Sequence, residues 1–410
     1  MQLRRVAITG LGAITPLGNN VATLISGIEA GKSAVKYIPE WENNIGLRCK
    51  VGAPVHMENE RLIPRQNRRS MGRLSIFAAQ AAEEAIKDAG IKTEQLAEGR
   101  FGCVIGSTMG SAESIAEAFE TISADKDLSN LSSTKFFQCV SHTAAMNVAQ
   151  YLGITGYVLA TSAACASALQ AIGTGFDLIR LGKQDIMLCG GAEGLHPTVV
   201  GSFDVLYATS SNYNKEPKKT PRPFDSKRDG LVCGEGSGIL VLEDLDLARK
   251  RGAKIYAEII GYNSCGNGSH VSESNRKAIT FCIQEALKSA SITFKDIDYI
   301  NAHATATIQG DKEEANAIRE IFGNSVPVSS LKGYIGHTLG ASGAIELIAS
   351  LIMMQESKIY PTLNLEDPDK DCLGINHVMR AQEKNIDILL KNCFAFGGIN
   401  AALICKSTRP

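Results

Sequence analysis

Runs of β-branched and apolar residues alternate with helical patterns from one end of this chain to the other, and that alternation is what most restricts its fold. Arg5–Thr9, Gly102–Ile105, Tyr157–Thr161, Asp185–Cys189, Gly238–Leu242, Ile255–Gly261, Ile297–Asn301 and Val326–Ser329 read as strands. Between them, Ser75–Ala89 places Ile76, Ala79, Ala82, Ala85, Ile86 and Ala89 at helical spacing, and Leu169, Ile172, Phe176 and Ile179 repeat it later. Short, mostly buried strands covered by such helices make layered α/β sheets. A strand, a special residue at its end and an apolar helix recur in both parts of the chain, a hint of duplication without a residue-level repeat. Asn212–Asp229, dense in proline and charge, is the candidate boundary.

Bulk properties narrow the function. With 410 residues and 44% hydrophobic content, the chain can bury a large core. Lysine and arginine (42) nearly cancel aspartate and glutamate (43), so no global field draws it to nucleic acid or an anionic membrane. Eleven cysteines, odd in number and without a C-x-x-C pair, fit reduced thiols in a cytoplasm. The opening apolar run Val6–Ile14 is interrupted by Thr9, Gly10 and Gly12 and closed by Pro16, unlike a secretory signal. Ala344–Met354 carries Glu346 and is too short to span a bilayer.

The chemistry concentrates in three places. In Tyr157-Val-Leu-Ala-Thr-Ser-Ala-Ala-Cys165-Ala-Ser-Ala-Leu169 a strand ends in small residues and a helix begins at or just after the cysteine. A thiol at a helix start faces unpaired N–H groups and the positive end of the macrodipole, which favours thiolate. Taken alone, Cys165 could be one more small buried hydrophobe. Two histidines alter that balance, each just beyond a predicted strand: His303 in Asn301-Ala-His303-Ala-Thr-Ala-Thr307, and His337 in Lys332-Gly-Tyr-Ile-Gly-His337-Thr-Leu-Gly. Either could be a structural hydrogen-bonder, but three such residues at strand ends together point to nucleophilic catalysis. Near the C-terminus, Asn392-Cys-Phe394-Ala-Phe396-Gly-Gly-Ile-Asn400 is either a buried turn between core strands or a loop whose backbone N–H meets an oxyanion, with Phe396 as a movable gate.

With these motifs in view, the chain resembles the β-ketoacyl carrier-protein synthases of the thiolase-like superfamily, especially the synthase II type and its polyketide relatives. The likeness runs along the whole chain and includes Val6-Ala-Ile-Thr-Gly-Leu-Gly12, Ala192-Glu193, Arg222-Pro-Phe-Asp225, Arg228-Asp-Gly230, Gly234-Glu235-Gly236, Asp311 and Glu346. It implies a five-layered αβαβα fold with two similar halves, here 1–250 with the nucleophile and 251–410 with both histidines. It implies a cytoplasmic acyltransferase that joins an acyl thioester to a malonyl thioester, both delivered by an acyl carrier protein. A homodimer is implied, or a heterodimer with a related subunit, and no metal or other cofactor. By the same resemblance Cys165 carries the acyl group, His303 and His337 hold the malonyl thioester carbonyl, and Lys332 polarises the histidine region. The N–H groups of Cys165 and Phe396 form the oxyanion hole, while Met109, Thr305, Thr307 and Phe394 line the substrate pocket. Arg65, Arg68 and Arg69, in a basic cluster with Arg61 and Arg73, fall where relatives meet the acidic carrier.

Departures from the family pattern bear on substrate choice. Ala304 stands where the family has glycine after the first histidine, and Ala395 and Ile399 replace a glycine and a threonine beside the gate. Alanine enters positive φ only at a cost, so a stiffer or reshaped loop is expected. The segment Ser264–Ser274 is shorter than in relatives, and Met109 could reshape the acyl pocket. Together these suggest a dedicated polyketide or polyene synthase rather than a housekeeping enzyme. Three alternatives are weaker. A dinucleotide site at Gly10-Leu-Gly12 would need its third glycine at Thr15. Thiolase or synthase III branches would replace one histidine motif. A non-catalytic chain-length subunit would lose the cysteine.

Overall fold

In the computed structural model, which describes residues 3–123, 126–268, 270 and 274–409, the alternation resolves into two copies of one topology. The first half contributes Val6–Ile14, Phe101–Gly106, Val158–Leu159, Ile186–Glu193 and Gly236–Asp244. These lie side by side in the order first, fifth, fourth, second, third. The second half contributes Ala257–Gly266, Tyr299–Asn301, Pro327–Ser329, Ile388–Ala395 and Ile399–Lys406 in that same order, with the short Asn376–His377 added at the outer edge. Strand sense matches as well. In both halves the fifth strand runs antiparallel to its two neighbours, and the remaining pairs are parallel. The two first strands pair antiparallel through Val6–Ile8 and Ala257–Ile259, joining the halves edge to edge.

Helices complete five layers. Arg73–Ala89 covers the first half of this eleven-stranded sheet and Arg276–Ser289 the second, while Ser167–Arg180 and Ser342–Glu356 lie between the two halves and touch both. The last of these is buried from Ser342 to Leu351, which explains why it is apolar almost all round: it has no solvent face. Close layering also explains the Gly10-Leu-Gly12 motif. Both glycines lie inside the first strand rather than in a turn. A Cβ on Gly10 would come within 2.2 Å of the Ala85 carbonyl oxygen, and one on Gly12 within 1.9 Å of that of Ala81. The helix Arg73–Ala89 therefore rests directly on strand backbone.

The structure corrects the sequence reading in three places. Ile388–Ala395 and Ile399–Lys406 are core strands that the reading left as flanks of a turn; the polar pair Lys391-Asn392 interrupts the apolar run that would have marked the first. Tyr157–Thr161 contributes only Val158–Leu159, an exposed edge strand. Asn212–Asp229 is no boundary, because Gly236–Asp244 beyond it still belongs to the first half of the sheet. Three of its charges, Arg222, Asp225 and Arg228, are buried internal ties, while Lys215, Glu216, Lys218, Lys219 and Lys227 face solvent. Asp225 takes the Arg222 guanidinium at 3.0 Å and the N–H groups of Glu366 and Asp367, pinning the segment to the second half. No helix among the described residues is long and apolar enough to cross a membrane.

Candidate active site

Cys165 sits in a single 3₁₀ turn, Ala164–Ala166, that leads into the helix Ser167–Arg180. The chain enters through Ala164 at φ +47°, a left-handed conformation that costs a non-glycine residue of order 1 kcal/mol. Ser167 holds the bend, accepting from the Ala163 N–H at 2.9 Å and donating to the Ala164 carbonyl at 2.7 Å. His337 reaches the sulfur from the other half. It follows the short helix Lys332–Ile335, which Gly336 ends at φ +69°, and its own N–H donates to the Val232 carbonyl at 2.7 Å. His337 Nε2 lies 2.9 Å from Cys165 Sγ.

His303 follows the strand Tyr299–Asn301. Its backbone is clamped by Glu314, whose carboxylate accepts the N–H groups of His303 at 2.9 Å and Ala304 at 2.7 Å. Asp311 does the same one turn earlier, accepting from Ala306 at 3.0 Å and Phe224 at 2.7 Å. The two imidazoles meet edge to face with centroids 5.2 Å apart, and neither Nδ1 has a hydrogen-bond partner among the described residues. The donor atoms of Cys165, His303 and His337 all lie within 4.8 Å of one another.

Behind the histidines lies a buried charge cluster. Lys332 Nζ is 2.6 Å from one oxygen of Glu346, Lys391 Nζ holds the other oxygen, and all three side chains are fully buried. Burial, and then Lys332, hold His303 and His337 well below the ordinary histidine range, so both are neutral at physiological pH. The thiol departs from expectation. The helix start favours thiolate, but burial outweighs it and pushes Cys165 up to about 12, with Cys393 adding to the rise. Lys332 and the nearby Phe396 N–H oppose this. The resting site thus pairs a thiol with a neutral imidazole, not an ion pair.

A cavity opens at the sulfur. Thr305, Thr307, Phe394 and Phe396 line it together with Cys165, His303 and His337, and its volume of ≈ 20 Å³ has room for little more than one water. Phe396, one of its lining residues, rests edge to face on Phe203 at 5.6 Å between centroids. Phe396 lies at the tip of the hairpin between the strands Ile388–Ala395 and Ile399–Lys406, a turn between core strands. Positive φ falls on Gly397 at 92° and Gly398 at 73°, and neither Ala304 nor Ala395 has a positive φ. The backbone cost expected for Ala395 is absent, because alanine is at home in the strand that it ends. Asn267 N–H donates to the Gly398 carbonyl at 2.8 Å, tying the start of the Ser264–Ser274 segment to the hairpin turn; Ser269 and residues 271–273 of that segment lie outside the described residues.

Not every candidate joins the site. Met109 lies in an open turn, 44% exposed and away from the cavity lining, although Glu193 ties that turn to the His337 loop by accepting from Thr108 and Gly340 N–H. Arg65, Arg68 and Arg69 lie on and just after a short surface helix and form no ion pair among the described residues, whereas Arg73 is bound to the buried Glu235. Sequence reasoning missed Lys391, Glu314 and Phe203. A lysine inside an apolar strand run was the signal for the first, since a buried ammonium requires a carboxylate partner.

Comparison with known proteins settles the family. The model of the β-ketoacyl synthase N-terminal domain matches residues 3–248, and that of the C-terminal domain matches residues 256–366. The chain belongs to the β-ketoacyl synthase family. Within that family it is 35% identical over 406 residues to the 3-oxoacyl-[acyl-carrier-protein] synthase 1 of Haemophilus influenzae, covering 98% of this chain and 99% of that one. The crystal structure of a β-ketoacyl synthase from Burkholderia phymatum superposes with a TM-score of 0.96 at 41% identity, over 99% of this chain and 100% of the other. The ishigamide ketosynthase/chain length factor superposes at 0.92 with 31% identity, over 99% and 100%. The thiolase-like fold is therefore that of the β-ketoacyl synthases.

Proposed function

We propose that this β-ketoacyl synthase condenses an acyl group held on Cys165 with a malonyl group held on an acyl carrier protein. The observation that carries the mechanism is the 2.9 Å approach of His337 Nε2 to Cys165 Sγ. In loading, the Cys165 proton passes to His337 as sulfur bonds to the acyl carbon, and then to the departing carrier thiolate. The N–H groups of Cys165 and Phe396 hold the oxyanion. In condensation, the bond from the malonyl α-carbon to its carboxylate breaks and carbon dioxide leaves. His303 and His337 stabilise the resulting enolate, which attacks the acyl carbon and releases the Cys165 thiolate for reprotonation. Lys332 supplies positive charge behind the histidines. We read the Cys-His-His trio as nucleophile and donors, not as metal ligands, because the sulfur already faces an oxyanion donor.

Two halves, 1–250 and 251–410, each supply part of this centre, a reading supported by the repeated strand order and by the division of nucleophile and histidines between them. A homodimer is supported by the exposed apolar edge formed by Tyr157, Val158 and Leu159, which carries unpaired backbone groups. A cytoplasmic location is supported by eleven free thiols, which an oxidising compartment would cross-link. The second reading, a non-catalytic subunit of a heterodimer, is favoured only by the ketosynthase/chain length factor likeness and opposed by the assembled trio.

Intact-protein mass spectrometry tests the proposal. After exposure to saturated, polyunsaturated or short acyl carriers the protein should gain one acyl mass, then lose it on malonyl carrier addition as a β-ketoacyl carrier appears. Preference for polyunsaturated chains would support a specialised polyene pathway, and a strong preference for saturated long chains would exclude it. No acylation by any carrier would leave the subunit reading. For carrier docking we assign Arg65 and Arg68, both clear of internal ion pairs. Reversing their charge should lower the association rate roughly tenfold at low salt with little change at high salt; unchanged stopped-flow rates would remove them from the interface.

A further inference from the structure

Lys391 stands mid-strand in Ile388–Ala395, fully buried, and has no part in the chemistry above. Its ammonium shares the Glu346 carboxylate with Lys332, whose Nζ is 2.6 Å from the other oxygen. One lysine would neutralise that carboxylate; two leave a net positive charge sealed in the core, which burial alone disfavours. We propose that Lys391 is a positioning residue for the condensing centre: by doubling the lysine on Glu346 it keeps positive charge behind His303 and His337 and holds both imidazoles unprotonated, so that His337 can take the Cys165 proton. This rests on Cys165 being the acylated nucleophile.

Charged and titratable groups reach Lys391 from several elements; the adjoining strand Ile399–Lys406 places Leu403 opposite it and carries Cys405 and Lys406 only opposite Leu389 and Ile388. Glu346 comes from the central helix, Lys332 from its short helix, Glu314 from the helix Ile308–Phe322, Tyr299 from the adjoining strand, Cys165 from the nucleophile turn and Cys393 from its own strand. Glu314 is the other carboxylate in this set, and it is turned toward the His303 and Ala304 N–H groups and, at 3.2 Å, the Asn392 amide. Asp311, beyond it, has Arg228 at 3.8 Å. Lys391 acts on both histidines in the same direction as Lys332, since a nearby cation disfavours a second one.

Removing the charge and removing the hydrogen bonds have opposite consequences, which makes the proposal testable. The measurement is the rate of Cys165 acylation by an acyl carrier thioester, followed by intact mass across the pH range in which histidine titrates. A protonated His337 cannot accept the thiol proton, so the acid limb reports imidazole protonation. Lys391→Met takes away one positive charge and should raise that limb by about one pH unit, slowing acylation roughly tenfold on its acid side. Adding Glu346→Gln to it restores a single net positive charge on Lys332, and should bring the limb back toward wild type despite losing a further ion pair. A purely structural role predicts the reverse order, with the double variant the more impaired. An acid limb in Lys391→Met that superimposes on wild type, or a double variant displaced further upward than the single, overturns the proposal. Should Lys391→Met not fold, the same charge step is read between Glu346→Gln and the double variant, where adding Lys391→Met must raise the limb by the same amount. A wild type that is never acylated sinks the Cys165 assignment instead, so the two failures are distinct.

Discussion

Cys165→Ala is expected to take up no acyl group and to condense at least about 10⁴-fold more slowly than wild type, while still releasing carbon dioxide from malonyl carrier protein. The two half-reactions use different atoms. Loading needs the sulfur, and among the described residues no other cysteine sulfur has a histidine nitrogen within hydrogen-bond reach; His377 Nε2 meets only the Cys372 carbonyl. Cys393 and Cys233 are buried, and their thiols are pushed up by the same desolvation. Decarboxylation needs donors for an enolate oxygen, and the substitution leaves His303, His337 and the Lys332–Glu346 pair in place. The reciprocal variant, His303→Ala, should still be acylated but should decarboxylate roughly 10²- to 10³-fold more slowly, the usual loss for one oxyanion donor. Paired mass spectrometry and carbon dioxide assays check both. Acylation of Cys165→Ala would place the nucleophile elsewhere, and loss of both half-reactions in that variant would mean that the cysteine builds the site rather than reacts in it.

The largest stability effect is expected at Glu346→Ala. It leaves Lys332 and Lys391 buried, close together and without a counterion, and breaking a buried pair in this way costs about 3–5 kcal/mol. The lost hydrogen bonds cannot be replaced by water, since all three side chains are fully buried. Glu346→Gln keeps an acceptor and should lose less. For comparison, Glu285→Ala removes only the exposed pair with Lys288, 3.5 Å apart, and should change stability by less than about 1 kcal/mol. Urea unfolding of the three variants ranks them. A Glu346→Ala midpoint equal to that of Glu285→Ala would show that the lysines reach solvent or neutralise when unpaired, and that the cluster does not hold the core.

Much of the site could be read from the chain before its fold was known. Cys165 and His303 follow strands, His337 follows a short helix beyond one, and the small or glycine-rich residues around all three are local signals that do not depend on the rest of the molecule. Strand positions were readable where apolar runs were unbroken, as in Ile186–Cys189, and failed where polar core residues interrupted them, as at Lys391-Asn392. The charge-rich Asn212–Asp229 misled for a related reason. Local composition cannot distinguish a solvated linker from buried ion pairs, because the partners, Glu366 and Asp311, lie far along the chain.

What the sequence determined by itself is therefore the inventory: an alternating α/β chain, a nucleophile at a helix start, two histidines beyond strands and a glycine-hinged aromatic near the end. Tertiary structure decided how these act. It brought residues 172 positions apart to 2.9 Å, and it made burial rather than the helix start the larger influence on the thiol. It also placed positive φ on Gly397 and Gly398 and left Ala395 in a strand, and it gathered two lysines around one carboxylate behind the histidines. The physical reason is that helix and strand patterns follow from periodicity along the chain, whereas proton affinity, ion pairing and cavity volume depend on neighbours that only folding supplies.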